Sequence, residues 1–180
     1  MTTYFSLSQL SEIISAKSYL GITAKNANVT VDGVATDTRT IKPGEIFVAL
    51  VGDNFDGHNF VDTAMNRGAI AIIVNRQLEE VDIPQFIVSD TLQAYQQIAK
   101  WWRDRLGIPV IGITGSVGKT STKELVAAVL SIQGKVLKTQ GNFNNEIGVP
   151  KTILQITPEH DYAVIEMAMR GKGEITLLTD

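Results

Sequence analysis

The sequence predicts an α/β protein with a mainly parallel sheet, and two observations carry that reading. Short apolar runs alternate with segments of helical periodicity along the chain. Strands that alternate with helices pair in parallel, because each helix returns the chain across the sheet. Within that series, Gly112-Ile113-Thr114-Gly115-Ser116-Val117-Gly118-Lys119-Thr120-Ser121 joins an apolar run at 109–113 to a helical pattern at 119–133. A strand, a glycine-rich turn and a helix in that order read as a phosphate-binding loop.

Composition bounds the remaining possibilities. A chain of 180 residues has room for one or two small domains, and 44% hydrophobic residues support a core. A formal net charge of −3 offers no field for nucleic acid or anionic lipid, so neither is expected as a partner. The longest apolar runs, such as 69–74, are too short to span a bilayer, and no membrane insertion is expected. The start of the chain lacks the basic-then-apolar pattern of a signal peptide. The absence of cysteine excludes disulfides and thiolate metal sites, and fits a cytoplasmic protein.

The elements follow in order. Ser6 and Gln9 are spaced as a capping box and open a short helix through Ile14. Residues 29–34 alternate as a strand, and 36–44 form a polar segment with a Pro43-Gly44 turn. A buried-type strand is expected at 46–51, a loop at 52–57, and a helix at 59–67 closed by Gly68. Strands at 69–74 and 85–88 flank a polar surface segment. Asp90 and Gln93 start a helix at 91–106, whose Leu92, Tyr95, Ile98, Ala99, Trp102 and Leu106 fall on one face. That spacing reads as core packing in preference to a ligand platform. After the phosphate loop come a strand at 135–138, a loop through Pro150, a helix at 151–155, a strand at 162–167 and the start of a helix at 173–180. The second α/β series begins near 84–90, which divides the chain into domains 1–88 and 89–180. Only three strands follow that boundary, fewer than a doubly wound nucleotide domain needs, so the chain is expected to be the front part of a longer protein.

Four constellations carry chemistry. In the loop, glycines let several N–H groups point at one anion, and the helix N-terminus adds its partial positive charge. Lys119 is placed to reach terminal phosphates, and the Thr120 hydroxyl to ligate Mg²⁺. Ile113 stands where the common pattern has its first glycine; Gly112 comes one residue earlier. Glu166 ends an apolar strand, where a carboxylate is costly unless paired or metal-bound. It is expected either to complete a Mg²⁺ shell with Thr120 or to be a salt-bridged edge acid. Asn142-Phe143-Asn144-Asn145-Glu146-Ile147-Gly148-Val149-Pro150 offers amides that can position a carboxylate or phosphate, or simply form an Asn-rich turn. Asp37-Thr38-Arg39 offers a guanidinium fork for diphosphate or carboxylate, although a surface ion pair is the plainer reading. His58 and His160, the only histidines, are expected to be solvated and not metal ligands or general bases.

Together these segments resemble the Mur ligase family along nearly the whole chain. Asp37-Thr38-Arg39, Pro43-Gly44-Glu45-Ile46-Phe47-Val48-Ala49-Leu50, Gly52, Asp56-Gly57-His58 and Gly68-Ala69 resemble the family's uridine-nucleotide-binding domain. Thr114-Gly115-Ser116-Val117-Gly118-Lys119-Thr120 resembles its ATP loop, including the extra residue against the generic pattern. Ala163-Val164-Ile165-Glu166-Met167 with Gly173-Glu174-Ile175 resembles its magnesium-glutamate segment. Thr38 stands where Ser is commoner, Val117 where a polar residue is common, and the family's remaining ATP-domain and C-terminal segments lie outside this sequence. The resemblance implies a small substrate domain followed by the first part of a P-loop-type ATP domain. It implies ATP and Mg²⁺ as cofactors, with Thr114 to Ser121 holding ATP, Lys119 and Glu166 catalytic, and Thr120 and Glu166 on the metal. Asp37, Thr38, Arg39, Asn144 and Asn145 are implied to bind substrate. Residues 142–150 favour the member that uses UDP-N-acetylmuramoyl tripeptide and D-alanyl-D-alanine. A sister ligase adding a single amino acid, and a non-catalytic UDP-sugar-binding module, remain the alternatives. The isolated chain is expected to lack ligase activity.

Overall fold

The computed structural model describes residues 5–179. Contacts divide the chain inside one helix, into Met1–Ile98 and Ala99–Asp180.

In the first unit, β1 (Phe5–Ser6) leads into α1 (Leu7–Ile13), and β2 (Ser18–Leu20), β3 (Thr30–Val31) and β4 (Gly33–Ala35) follow. The capping box forms as expected: the Ser6 N–H donates to Gln9 Oε1 at 3.0 Å and the Gln9 N–H to Ser6 Oγ at 3.3 Å. The chain continues through β5 (Glu45–Val48), β6 (Val51–Gly52), β7 (Phe55–Asp56), a 3-10 turn at Gly57–Phe60, α2 (Val61–Asn66), β8 (Ala71–Val74) and β9 (Gln85–Ile87). The main sheet has the order β2-β9-β8-β5-β4, parallel throughout except for β2 at its edge. All four residues of β8 are buried, as are Ile46, Phe47 and Val48 of β5, which is the pattern of parallel strands covered on both faces. One side of the sheet sends Phe47, Ala49, Ile72 and Val74 into a core completed by Ile41 and by Val61 and Ala64 of α2.

Several expectations need correction in this unit. The run at 29–34 is not one strand: it breaks at Asp32 into β3, which pairs with β1, and β4, which joins the main sheet. The strand expected at 46–51 ends at Val48; Val51, expected within it, is half-exposed and opens a hairpin that runs through the residues expected as a loop at 52–57. The helix expected at 59–67 is a 3-10 turn followed by α2, because the Asp56 carboxylate caps the turn through the His58 N–H at 2.9 Å. The Gly68 N–H then closes α2 on Met65 O at 2.9 Å. β2 carries no alternation that would have announced it.

α3 (Thr91–Arg105) crosses the division. Ala94, Tyr95, Ile98, Ala99 and Trp102 are buried along it, whereas Leu92 and Leu106 are only half-buried. The second unit continues with β10 (Val110–Ile113), α4 (Lys119–Leu130), β11 (Val136–Lys138), α5 (Gly148–Ile153), β12 (Tyr162–Glu166) and α6 (Glu174–Thr179). Its sheet is parallel with the order β10-β12-β11, so β12 is central and buried from Ala163 to Glu166. The indole Nε1 of Trp102 donates to the Ile156 carbonyl at 2.9 Å, which satisfies both buried groups. α5 starts earlier than the helix expected at 151–155, because Asn145 Oδ1 accepts the Gly148 N–H at 2.9 Å and Pro150 sits harmlessly in the first turn.

Candidate functional site

The site of the second unit lies at the carboxyl ends of adjacent parallel strands, where open α/β sheets gather ligands. Ile113 of β10 stands beside Glu166 of β12, so the loop leaving β10 begins next to that carboxylate. Residues 114–118 are exposed, and Val117 is almost wholly so. Gly118 has φ +77° at the entry to α4, a left-handed turn that a side chain would resist. The turn opens α4, and the N–H groups of a helix's first turn have no acceptor within the helix. The Lys119 ammonium folds over the loop and donates to the Gly115 carbonyl at 2.8 Å.

Glu166 is 3% exposed, on the central strand and not an edge, and its bonds hold it in place. Its Oε2 accepts the Thr120 hydroxyl at 2.9 Å, and its Oε1 accepts the Asn144 amide at 2.8 Å. Its own N–H donates to Thr139 Oγ1 at 2.9 Å. The loop, the Asn-rich segment and the acidic strand, far apart in sequence, thus meet at one carboxylate. Hydroxyl and carboxylate are hard oxygen donors that suit Mg²⁺, which binds through one or two protein oxygens together with water and phosphate oxygens. No cluster of three or more His, Cys, Asp or Glu able to hold a metal occurs among the described residues. Asn145 does not face Glu166 in this arrangement: its Oδ1 caps α5 through Gly148 and, at 3.4 Å, Ile147.

Sequence reasoning missed Lys123. It lies one helical turn beyond Lys119 and three residues beyond Thr120, on the face of α4 that turns inward, and is 2% exposed. Its ammonium donates to Thr139 O at 2.9 Å and pairs with Glu124 at 3.2 Å and Glu166 at 3.9 Å. Lys138 also pairs with Glu124, and the hydrogen bonds from Lys138 and Lys123 hold that carboxyl below its ordinary range. The spacing from Lys119 was the available signal.

In the first unit, Asp37 and Arg39 pair at 2.7 Å on the surface, with the Arg39 side chain 86% exposed. Thr38 is buried between them, and Arg67 donates to its carbonyl at 2.9 Å and to that of Arg39 at 3.0 Å. The expectation of a solvated His58 is overturned, since the residue is 6% exposed. Its Nε2 accepts the Asn75 N–H at 3.2 Å, so Nδ1 carries the proton towards Asp56 Oδ1 at 2.5 Å. Arg76 donates to the other Asp56 oxygen at 2.9 Å. These bonds, led by the His58 N–H, push the Asp56 carboxyl well below the usual carboxylate range. His160 is half-buried and accepts the Thr157 N–H at 3.0 Å.

Parallel strands, a glycine-hinged loop and a threonine–glutamate oxygen pair define the class of phosphate-loop α/β proteins. The chain belongs to the Mur ligase family: residues 30–112 match the Mur ligase family catalytic domain and 113–180 the Mur ligase middle domain. It is 53% identical over 163 residues, 89% of its length, to the UDP-N-acetylmuramoyl-tripeptide–D-alanyl-D-alanine ligase of Synechocystis. A crystal structure of MurF from Acinetobacter baumannii matches 99% of the chain with a TM-score of 0.90 and 34% identity. MurF of Thermotoga maritima, crystallised with ADP, matches 81% with a TM-score of 0.74 and 36% identity. The chain spans 36% of the Synechocystis ligase, 39% of the Acinetobacter chain and 34% of the Thermotoga chain. No helix among the described residues is long and apolar enough to cross a membrane.

Proposed function

We propose that this chain supplies the UDP-substrate and ATP-binding portions of a ligase that joins D-alanyl-D-alanine to UDP-N-acetylmuramoyl tripeptide, as its relatives are named. The observation that carries this reading is the convergence of Thr120, Asn144 and Glu166 beside the phosphate loop. In domains taken as 1–88 and 89–180, the first holds the UDP moiety near Asp37, Thr38 and Arg39. The second holds ATP on Thr114, Gly115, Ser116, Val117, Gly118, Lys119, Thr120 and Ser121. The setting is the cytoplasm, where ATP and soluble UDP-linked precursors meet.

The residues suit a phosphoryl transfer between two anions. A carboxylate is a poor acyl donor, so its oxygen first takes the γ-phosphoryl group of ATP and ADP leaves. The dipeptide amine then forms the amide bond, and inorganic phosphate and the amine's proton depart. Loop N–H groups and Lys119 neutralise charge as it moves between the two anions. Lys119 exchanges the Gly115 carbonyl for phosphate oxygens. Thr120 and Glu166 would hold Mg²⁺, which supplies further charge neutralisation when bound. Asn144 keeps the Glu166 carboxylate aimed, and Asn145 keeps the loop that carries Asn144 in place. Binding of the distant UDP group orients the reacting carboxylate.

Lys119→Ala tests the reading. Losing a charged hydrogen-bond donor costs about 1.5–3 kcal/mol, or roughly 10- to 150-fold in ADP affinity. Calorimetric titration should show that loss with unchanged binding of the UDP substrate. Unchanged ADP affinity refutes the loop assignment. If the chain binds ADP but not the UDP substrate, the reading of the first domain falls.

A further inference from the structure

We propose that Lys123 is a positioning residue: a built-in cation that balances the Glu166 carboxylate until a divalent cation arrives, so that Mg²⁺ alone gains little from the site. This inference rests on the nucleotide reading above and goes beyond it.

Lys123 and Glu166 have side chains only 3% and 4% exposed, with 3.9 Å between Nζ and Oε2. That distance is an ion pair and not a hydrogen bond. The hydrogen bonds of Glu166 come from Thr120 and Asn144, and those of Lys123 go elsewhere. Lys123 therefore contributes charge to Glu166 more than geometry. The Thr139 carbonyl fixes the ammonium, while Thr139 Oγ1 fixes the backbone of Glu166. One threonine at the end of β11 thus sets the spacing of both partners. The neighbouring charges are Glu124, which faces Lys123 from the same helix, and Lys138, which faces Glu124 from β11.

A buried carboxylate without a counter-charge is costly, and one with a permanent counter-ion is not. Mg²⁺ brought by a nucleotide would carry phosphate charge with it, which would offset the resident ammonium while Thr120 and Glu166 hold the ion. Mg²⁺ alone meets a carboxylate that is already balanced, beside a resident cation. Removing the ammonium leaves Glu166 to seek a cation by itself. Lys123→Met keeps the length of the side chain and deletes its charge, so it should make the chain depend on free Mg²⁺.

The test is the thermal midpoint of the chain in chelator, in millimolar Mg²⁺, and in Mg²⁺ with ADP. Wild type should respond to Mg²⁺ alone by less than about 1 °C, and Lys123→Met by about 4 °C or more. Lys123→Met/Glu166→Gln should lose that response and regain stability in chelator. A role in packing alone predicts the same loss with and without Mg²⁺ and no recovery in the double variant, and that result overturns the proposal. If Lys123→Met does not fold, folding of the double variant supports the proposal and its failure overturns it. If wild type gains nothing from Mg²⁺ with ADP, the nucleotide reading falls and takes this inference with it. If wild type does gain and Lys123→Met shows no response to Mg²⁺ alone, only this inference falls.

Discussion

Gly148→Ala is expected to damage both the fold and the site of the second unit, and the size of the effect follows from the backbone around it. A Cβ at this position would lie 2.4 Å from the carbonyl carbon of Phe143, 2.5 Å from its Cα and 2.8 Å from its oxygen. Carbon atoms pack at about 3.5–4.0 Å, so the overlap is roughly 1 Å. The obstacle is main chain and cannot rotate away. Segment 143–144 must shift, and Asn144 lies next in sequence. Its amide reaches Glu166 at 2.8 Å and its carbonyl accepts the Ala168 N–H at 2.8 Å. A displacement near 1 Å would end both bonds. Overpacking of this kind costs about 1–3 kcal/mol, and the charged hydrogen bond about 1.5–3 kcal/mol more. The expected loss is therefore about 2.5–6 kcal/mol, which lowers the urea midpoint by at least about 1 M. Both tryptophans, Trp101 and Trp102, belong to the second unit, so their fluorescence reports its unfolding. Gly107→Ala is the control: its Cβ would meet nothing within 4 Å. It should leave the midpoint unchanged or slightly raised. A Gly148→Ala midpoint equal to that of the control, with ADP affinity intact, would refute the argument.

Two further outcomes follow from groups outside the phosphate loop. Trp102→Phe leaves the buried Ile156 carbonyl without its indole donor and should lower stability by about 1–3 kcal/mol, read by circular dichroism; a change below about 0.5 kcal/mol would mean the bond contributes nothing. The Asp56 carboxyl is held below its unfolded value of about 3.9, so its contribution is fully present above that pH and fades as pH falls towards the depressed folded value. The stability difference between wild type and Asp56→Asn should therefore shrink between about pH 5 and pH 3, and a constant difference in thermal melts would contradict this origin.

What was legible in the sequence, and what was not, divides along the range of the interactions. The capping box at Ser6, the helix end at Gly68 and the glycine turn that opens α4 are local devices, each written in a few adjacent residues, and each appears where its spacing puts it. Burial of β5, β8 and β12 was readable for the same reason, since an unbroken apolar run suits a sheet covered on both faces, whereas the apolar run of β10 is only half-buried. The split at Asp32 was hidden, because alternation continues through it while the pairing partner changes from β1 to β5. Register and partner are properties of two segments, and one segment's pattern does not contain them. His58 misled in the same way: its ring is held by the Asn75 N–H, which arrives from beyond β8, while Arg76 reaches the Asp56 carboxylate beside it.

The site shows how far local reading reaches. Glu166 was recognisable because a lone acid in an apolar strand demands a partner, and the demand is visible without the partner. Lys123 makes an equal demand from the inward face of α4, yet a lysine in a helix is so often solvent-facing that the pattern alone gives no alarm. Only the strand order, with β12 between β10 and β11, brings the two charges together. Each accounts for the other's burial. On the proposed nucleotide reading, a buried carboxylate balanced from within would stay aimed at the loop whether or not a nucleotide is bound. That would be the physical advantage of placing a second lysine one turn behind the first.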